Sequence, residues 1–399
     1  MVFTGKSGGK QYRARNFSLR FSEFGPIIEV NTQPTRRNTM RGKLLIVLIA
    51  VSVIFLVPLG QPSAQAKVIN LKFATYLPAP HGTSKACEEF IAALEKRTNG
   101  QVKVQFFPGG SLAKAPAMIK AIETGITDIG LSHISYTPGR FPVTEVCELP
   151  IGFPTGWVAN IAMNDFYDQF KPKEWDSVKP LWFHANTPSV LGSIKALRTM
   201  EDFKGQIIRA PGRMAEVISA LGGTPAPTPI VETYDAIAKG VIQGVFVGGE
   251  GIRAFRFGEI VKYVTNSWNV GPSYPFYVAM NKRSYERLPE DIKDILDKLC
   301  GEYKEKFALV WNASDFPGEA FGKEKGVEYI ELPDDEFNRW IDAMQPVFDN
   351  YVKSMVDKGH KEAEVRGWIE FLNKRKVELL EQQKELHIKS TTGPPAVRE

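Results

Sequence analysis

Arg209, in the run QIIRAPG (206–212), has the chemistry and the setting to hold a small anion. A guanidinium is planar and offers its donors as a fork that matches a carboxylate, which the point charge of a lysine cannot do. An arginine at a strand end also serves as a solvated charge or half of a surface ion pair, so its setting matters. Residues 206–210 read as a short strand broken by Pro211-Gly212, and Met214, Val217, Ile218 and Leu221 recur at helical spacing. Gly222-Gly223 closes that helix, and Pro225, Pro227 and Pro229 impose an extended crossing. A second helix over 231–239 ends at Gly240, and 245–247 returns as a buried strand. Such βαβ units bind ligands in the crevice beyond the carboxyl ends of their strands, and Arg209 stands at one of those ends.

Other polar side chains fall at comparable places. Glu250 follows a buried strand, where it either pairs with Arg253 or Arg213 or accepts a hydroxyl or amine from a ligand. His184 ends the apolar run from Trp182, as a hydrogen-bonded loop histidine or a ligand donor, with Asn186 two residues on. His81 sits in a loop after the first strand. Tyr136, Phe246 and Val247 wall a pocket or fill the core.

Signatures of catalysis are weak. Gly249-x-Gly251-x-x-Ala254 follows a strand but lacks an acidic residue about 20 positions on, as a dinucleotide site requires. There is no phosphate-binding G-x-x-x-x-G-K-S/T loop and no G-x-S-x-G elbow. The five histidines (81, 133, 184, 360 and 387) form no H-E-x-x-H pair. The residues therefore point to a binding protein without cofactor, metal or catalytic set. A secreted two-lobed enzyme and a ligand-sensing receptor subunit are the alternatives.

The elements that must position these residues alternate. Strands are expected at 69–73, 102–107 and 126–131, with a helix capped by Thr83-Ser84 and running to Thr98, and another ended by Gly125. That alternation implies an α/β fold with mainly parallel sheets. Candidate ligand loops follow the strands at 77–83, 133–140, 184–189, 210–212 and 248–253. From about 289 the chain turns helical, with further helices over 335–358 and 363–386, and a disordered tail over 391–399.

Five segments taken together carry a family resemblance: FATYLPAPHG, YTPGRFPVTEVCELPIGFP, EDFKGQIIRAPG, ALGGTPAPTPIVETYDAIAKGVIQGV and YPFYVAMNKRSYERLP. Over about 67–387 the chain resembles the DctP-type solute-binding subunits of tripartite ATP-independent periplasmic (TRAP) transporters. The resemblance implies that Arg209 binds a substrate carboxylate and that integral membrane permease subunits are the partners. It also implies two discontinuous α/β lobes closing over ligand, with C-terminal helices. Residues 67–186 plus 275–312 would form one lobe, and 187–274 plus 313–390 the other. This chain departs from the pattern at Thr187-Pro188-Ser189, where many members carry a second arginine. It departs again at Val247, where many carry an asparagine. The implied ligand is a small organic acid, first a monocarboxylate with an apolar or aromatic body, then a 2-oxo or hydroxy acid, with a dicarboxylate still open.

Charge and leader agree with an exported protein. The chain has 399 residues and a formal net charge of +5, but residues 1–43 alone carry +7 and the part after 66 carries −2. The basic balance thus belongs to the leader and gives no argument for nucleic acid. MRGK (40–43), an apolar run over 44–57 and AQA (64–66) read as a signal peptide cleaved after Ala66, with the mature protein in the periplasm; residues 1–39 read as a doubtful preface. Three cysteines, Cys87, Cys147 and Cys300, suggest core thiols and allow at most one disulfide.

Overall fold

The computed structural model describes Val68–Arg398; the expected leader and its cleavage site lie outside the described residues. The chain opens on β1 (Ile69–Thr75), whose Leu71 and Phe73 turn inward while Lys72 faces solvent. α1 (Gly82–Arg97) follows, then β2 (Val102–Phe107), α2 (Met118–Thr124), β3 (Ile129–His133), α3 (Gly156–Phe170) and β4 (Val178–Ala185). The chain then crosses to a second layer: β5 (Val190–Ser193), β6 (Ile207–Arg209), α4 (Met214–Ala220), β7 (Thr224–Ala226), α5 (Ile230–Ala238), β8 (Gly244–Val247), α6 (Gly251–Ala254) and β9 (Tyr263–Thr265). It returns through β10 (Pro275–Asn281), α7 (Lys282–Glu286) and the 35-residue α8 (Glu290–Glu324). β11 (Glu328–Ile330), α9 (Asp334–Asp342), α10 (Gln345–Asp357), α11 (Glu362–Glu385) and α12 (Pro395–Arg398) complete it.

The strands form two sheets, β2-β1-β3-β10-β4 and β11-β9-β5-β8-β6-β7, so the fold is α/β in two lobes. They are less parallel than the alternation implied. β10 runs against both β3 and β4, and β5 against both β8 and β9. These are the two strands that arrive directly from the opposite sheet. No crossover helix within one sheet precedes them, so nothing compels a parallel arrangement.

The two crossings, 186–189 and 266–274, run side by side. Ser189 Oγ donates to the Pro272 carbonyl at 2.7 Å and Ser267 Oγ to the Ser189 carbonyl at 2.9 Å. A Cβ at Gly271 would collide with the Ser189 carbonyl oxygen, so only glycine lets the two backbones approach this closely. α8 is a third connection. It packs on α1, α3 and β4 and then on α6, passing through Pro317 without ending. The expected lobe boundary at 312–313 lies inside this helix.

Four local expectations are corrected. β3 spans Ile129–His133, not 126–131, because Thr127 and Asp128 are engaged with the Lys72 backbone before the strand begins. α1 is capped by His81, not by Thr83-Ser84, and the single run expected over 335–358 breaks at Ala343-Met344. The C-terminal helices divide: Trp340 of α9 packs edge-on to Phe203, whereas α11 packs on α3, with Thr155 Oγ1 donating to Gln383 Oε1 at 2.6 Å. The tail is not disordered up to Arg398. Gly393 takes a φ of 90°, Thr392 Oγ1 donates to the Pro154 carbonyl at 2.9 Å, and Val397 is buried. These hydroxyl bonds and one apolar side chain hold a segment whose composition alone suggests solvation. All three cysteines are buried free thiols.

Candidate functional site

Strand ends from both sheets meet over one narrow cavity. Tyr76 and His81 come from the loop after β1, and His133 and Tyr136 from the end of β3 and the turn beyond it. Arg209 ends β6, Val247 ends β8 with Glu250 just before α6, and Asn186 lies on the first crossing. Tyr274 from the second crossing and Trp311 from α8 close the wall. The extended run Thr224–Ala226 and the proline-rich stretch after it bring the start of α5 beside Arg209, where Ile230 also lines the space.

Arg209 is 2% exposed, and every one of its hydrogen-bond partners is neutral. Nε donates to the Thr228 carbonyl at 3.0 Å. Nη1 donates to Tyr274 Oη at 3.0 Å and to the Phe246 carbonyl at 3.5 Å, and Nη2 donates to Tyr136 Oη at 3.3 Å. A buried cation without a counter-charge costs several kcal/mol, so this environment favours an anion brought from outside. Tyr136 Oη accepts a second bond, from the Ile230 N–H at 3.1 Å, so its own proton is free to donate into the cavity. Tyr274 Oη uses its proton on the Phe246 carbonyl at 2.8 Å and so orients the guanidinium without competing for the anion.

The opposite side holds two carboxyl groups. Asp315 on α8 accepts from Thr187 Oγ1 at 2.9 Å, from the Glu250 N–H at 2.8 Å and from Thr391 Oγ1 at 3.1 Å. Glu250 is 6% exposed, and its Oε2 has no hydrogen-bond partner among the described residues. Burial first, then the neighbouring Asp315 charge, push the Glu250 pKa well above the usual carboxylate range. Burial also raises Asp315, to about 7, against the pull of its three donors. Burial lowers His81 to about 4, and burial with Arg209 nearby lowers His133 well below its ordinary value, so both rings are neutral near pH 7. The site is an aromatic slot with one bare cation at one end and neutral polar groups elsewhere. Among the described residues, no group of three His, Cys, Asp or Glu side chains could hold a metal ion.

The family model of the bacterial extracellular solute-binding proteins, family 7, matches residues 73–354, which includes every strand end around this cavity. The chain belongs to that family. It is a substrate-binding subunit of the TRAP type; family 7 proteins are periplasmic and are solute-binding receptors, not enzymes. A solved TRAP periplasmic solute-binding protein from Desulfovibrio salexigens is 32% identical, with a TM-score of 0.68 over 76% of this chain and 95% of that one. Its ligand site holds the C-terminus of a symmetry mate in an open complex. A marine metagenome TRAP solute-binding protein specific for aromatic acid ligands, solved with 3-hydroxybenzoate, shares the fold. It has a TM-score of 0.74 at 24% identity over 78% of this chain and 99% of that one. Among curated proteins, a solute-binding protein of Albidiferax ferrireducens is 27% identical over 266 residues, 63% of this chain and 76% of that protein.

Within this family 7 chain, six of the eight residues singled out from the sequence line the cavity: Arg209, Glu250, Asn186, Tyr136, Val247 and His81. Phe246 reaches it only through its carbonyl, the acceptor for Arg209 and Tyr274. His184 does not line it. Its Nδ1 accepts from Trp311 Nε1 at 2.8 Å, and its ring stacks on Phe276 behind the wall. Glu250 pairs with neither suggested arginine: Arg213 is bound to Glu145 and Glu216, and Arg253 is exposed. Tyr274, Trp311, Phe255, Phe276 and Tyr76 were not foreseen. The only signal for them was aromatic density near the crossings, which also describes ordinary core.

Proposed function

We propose that this protein captures an organic acid bearing one carboxylate on an apolar or aromatic body. It then delivers the acid to the integral membrane permease subunits of a TRAP transporter. The observation that carries this reading is Arg209, buried in an aromatic cavity with only neutral partners. In this arrangement Nε and Nη1 are engaged with protein oxygens. The carboxylate is therefore met by Nη2 and by the free proton of Tyr136, a tighter restriction than a bare bidentate fork. Val247 and the rings of Tyr76, Phe255 and Trp311 supply apolar surface for the rest of the molecule and no second cation, which speaks for a monocarboxylate over a dicarboxylate. The two lobes close about the crossings at 186–189 and 266–274, and the precursor is exported with cleavage after Ala66.

A thermal-shift screen of organic acids tests this. Ligands that bind only the native state raise the melting temperature by mass action, by the equivalent of about 2.7 kcal/mol at a hundredfold excess over Kd. Aromatic and other apolar monocarboxylates should give the largest shifts. Shifts confined to dicarboxylates, or absent for every acid, overturn the reading. Mass spectrometry of the exported protein should find Lys67 at its amino terminus.

A further inference from the structure

Three buried polar atoms lining the cavity have no partner among the described residues: His133 Nδ1, whose ring lies against Tyr136 and Tyr274 at the Arg209 end, and, at another wall, His81 Nε2 and Glu250 Oε2. His81 Nδ1 accepts the Thr83 backbone N–H at 3.2 Å and lies 2.8 Å from Thr83 Oγ1, closing the first turn of α1. That bond places the proton of the neutral ring on Nε2. His81 is 3% exposed and lines the cavity, and its Nε2 has no partner among the described residues. It is an orphan donor.

Glu250 Oε2 is an orphan of the opposite kind. The carboxyl lines the same cavity and lies over Gly248, close to Asn186 Nδ2, where a Cβ on Gly248 would strike it. An ionised carboxylate accepts at both oxygens, and a protonated one still accepts at its carbonyl oxygen.

Both orphans belong to the side of the cavity bounded by α6 and α8. The His81 ring centroid is 5.6 Å from that of Trp311 and 5.9 Å from that of Phe255. Phe255 directly follows α6, which Glu250 precedes, and the Glu250 N–H is bound to Asp315, one helical turn beyond Trp311 on α8. An unmade hydrogen bond at a buried donor or acceptor costs about 1–3 kcal/mol, so a side with one of each favours a group that answers both. An ammonium answers only an acceptor and a carbonyl only donors, whereas a hydroxyl serves Glu250 in either protonation state. A hydroxyl accepts from His81 and donates to Glu250 at once.

We propose that His81 and Glu250 form a hydroxyl-reading subsite, so that the acid carried by this protein bears a hydroxyl on its body, away from the carboxylate. This rests on the reading of Arg209 as the carboxylate site.

Matched pairs of acids test it by isothermal titration: benzoate against 3- and 4-hydroxybenzoate, and phenylacetate against 3- and 4-hydroxyphenylacetate. In the native protein at least one hydroxylated acid should bind tenfold or more tightly than its parent. His81→Asn keeps an acceptor for the Thr83 N–H, since asparagine is a good helix cap, but has no Nε2 donor. Glu250→Leu removes the acceptor. In both variants the affinity ratio of hydroxylated acid to parent should fall to within about twofold of one, with melting curves showing each variant folded. Glu250→Leu should melt at or above the native temperature, because a buried carboxyl with one oxygen left without a partner has gone. Parents that bind as tightly as their hydroxylated partners in the native protein, or a ratio that survives both substitutions, overturn the subsite. If the ratio is flat but Arg209→Ala abolishes binding of every acid, the carboxylate reading stands and the subsite alone falls. If no acid binds the folded native protein, both fall.

Discussion

Arg209 and Arg213 lie four residues apart around the end of β6, and their surroundings are opposites. Arg213 donates through Nε to Glu145 at 3.0 Å, through Nη1 to Glu216 at 2.9 Å and through Nη2 to Ser354 Oγ at 3.1 Å, with its guanidinium 4.7 Å above the Tyr351 ring. Its own N–H donates to Glu148 Oε2 at 3.2 Å, and Glu148 also accepts a short bond from Ser135. Gly212 between the arginines takes a φ of 61°, and a Cβ there would lie 2.8 Å from that of Ser135. Glu145, Glu148 and Ser135 lie between β3 and β4 of the first sheet and Arg213 follows β6 of the second, so this cluster forms a latch between loops of the two sheets. Arg209 has no acid among its partners. One arginine has its counter-charge built into the chain; the other lacks it, and under the proposed function a bound carboxylate would supply it.

The sharpest way to break this contrast is to remove the unpaired cation. Arg209→Ala should cost about 3–5 kcal/mol of ligand binding, on the order of 10²–10³-fold or more, because the bound carboxylate would be buried without its partner. Arg209→Lys should also bind poorly, since an ammonium cannot hold Thr228, Tyr274 and Tyr136 in the same plane. Melting without ligand should be spared or slightly raised, as an uncompensated buried charge has gone. A change in affinity of only a few-fold would place the carboxylate elsewhere.

Breaking the latch should do less to the ligand and more to the shape. Arg213→Ala should weaken affinity roughly tenfold by lowering the population of the closed form, without altering the order of preference among acids. Small-angle scattering should show a larger radius of gyration for this variant without ligand and convergence with the native protein at saturation. A changed ligand preference would mean that Arg213 touches ligand.

The smallest expected effect concerns pH. Burial first, then Glu145, raise the Glu148 pKa from its ordinary value to about 7, against the opposing pull of Ser135 and Arg213. The folded protein therefore holds this proton where the unfolded chain releases it. The stability it contributes is full below about 4.5 and is lost as pH rises toward about 7. His81, lowered to about 4, works the other way, its contribution being lost as pH falls through the window from 6.5 to 4. The melting temperature of Glu148→Gln should therefore gain on that of the native protein by a few degrees between pH 4.5 and 7 and run level above it. A difference that does not vary with pH would mean that Glu148 titrates normally.

The same contrast marks what local pattern can encode. The order β6-α4, extended crossing, α5-β8 follows from proline and glycine punctuation and from the spacing of Met214, Val217 and Ile218, all buried as expected; that the crossing pairs with β6 as β7 does not. Those signals put Arg209 at a strand's carboxyl end, and short-range backbone preference suffices for that. Whether an acid would meet it is a different matter. Arg209 and Arg213 have similar sequence surroundings, and their difference comes from Tyr136, Tyr274, Glu145 and Ser354, between 65 and 141 residues away. His184 shows the same limit: alternation buries it, but only the course of α8 decides that its ring faces Trp311 and not the cavity. The sequence by itself determined the alternating elements and the arginine at the strand end, because these depend on near neighbours. Tertiary structure alone decided which strands run antiparallel, which arginine is paired and which polar atoms are left without partners. Those outcomes depend on what the two crossings and α8 bring together from remote parts of the chain.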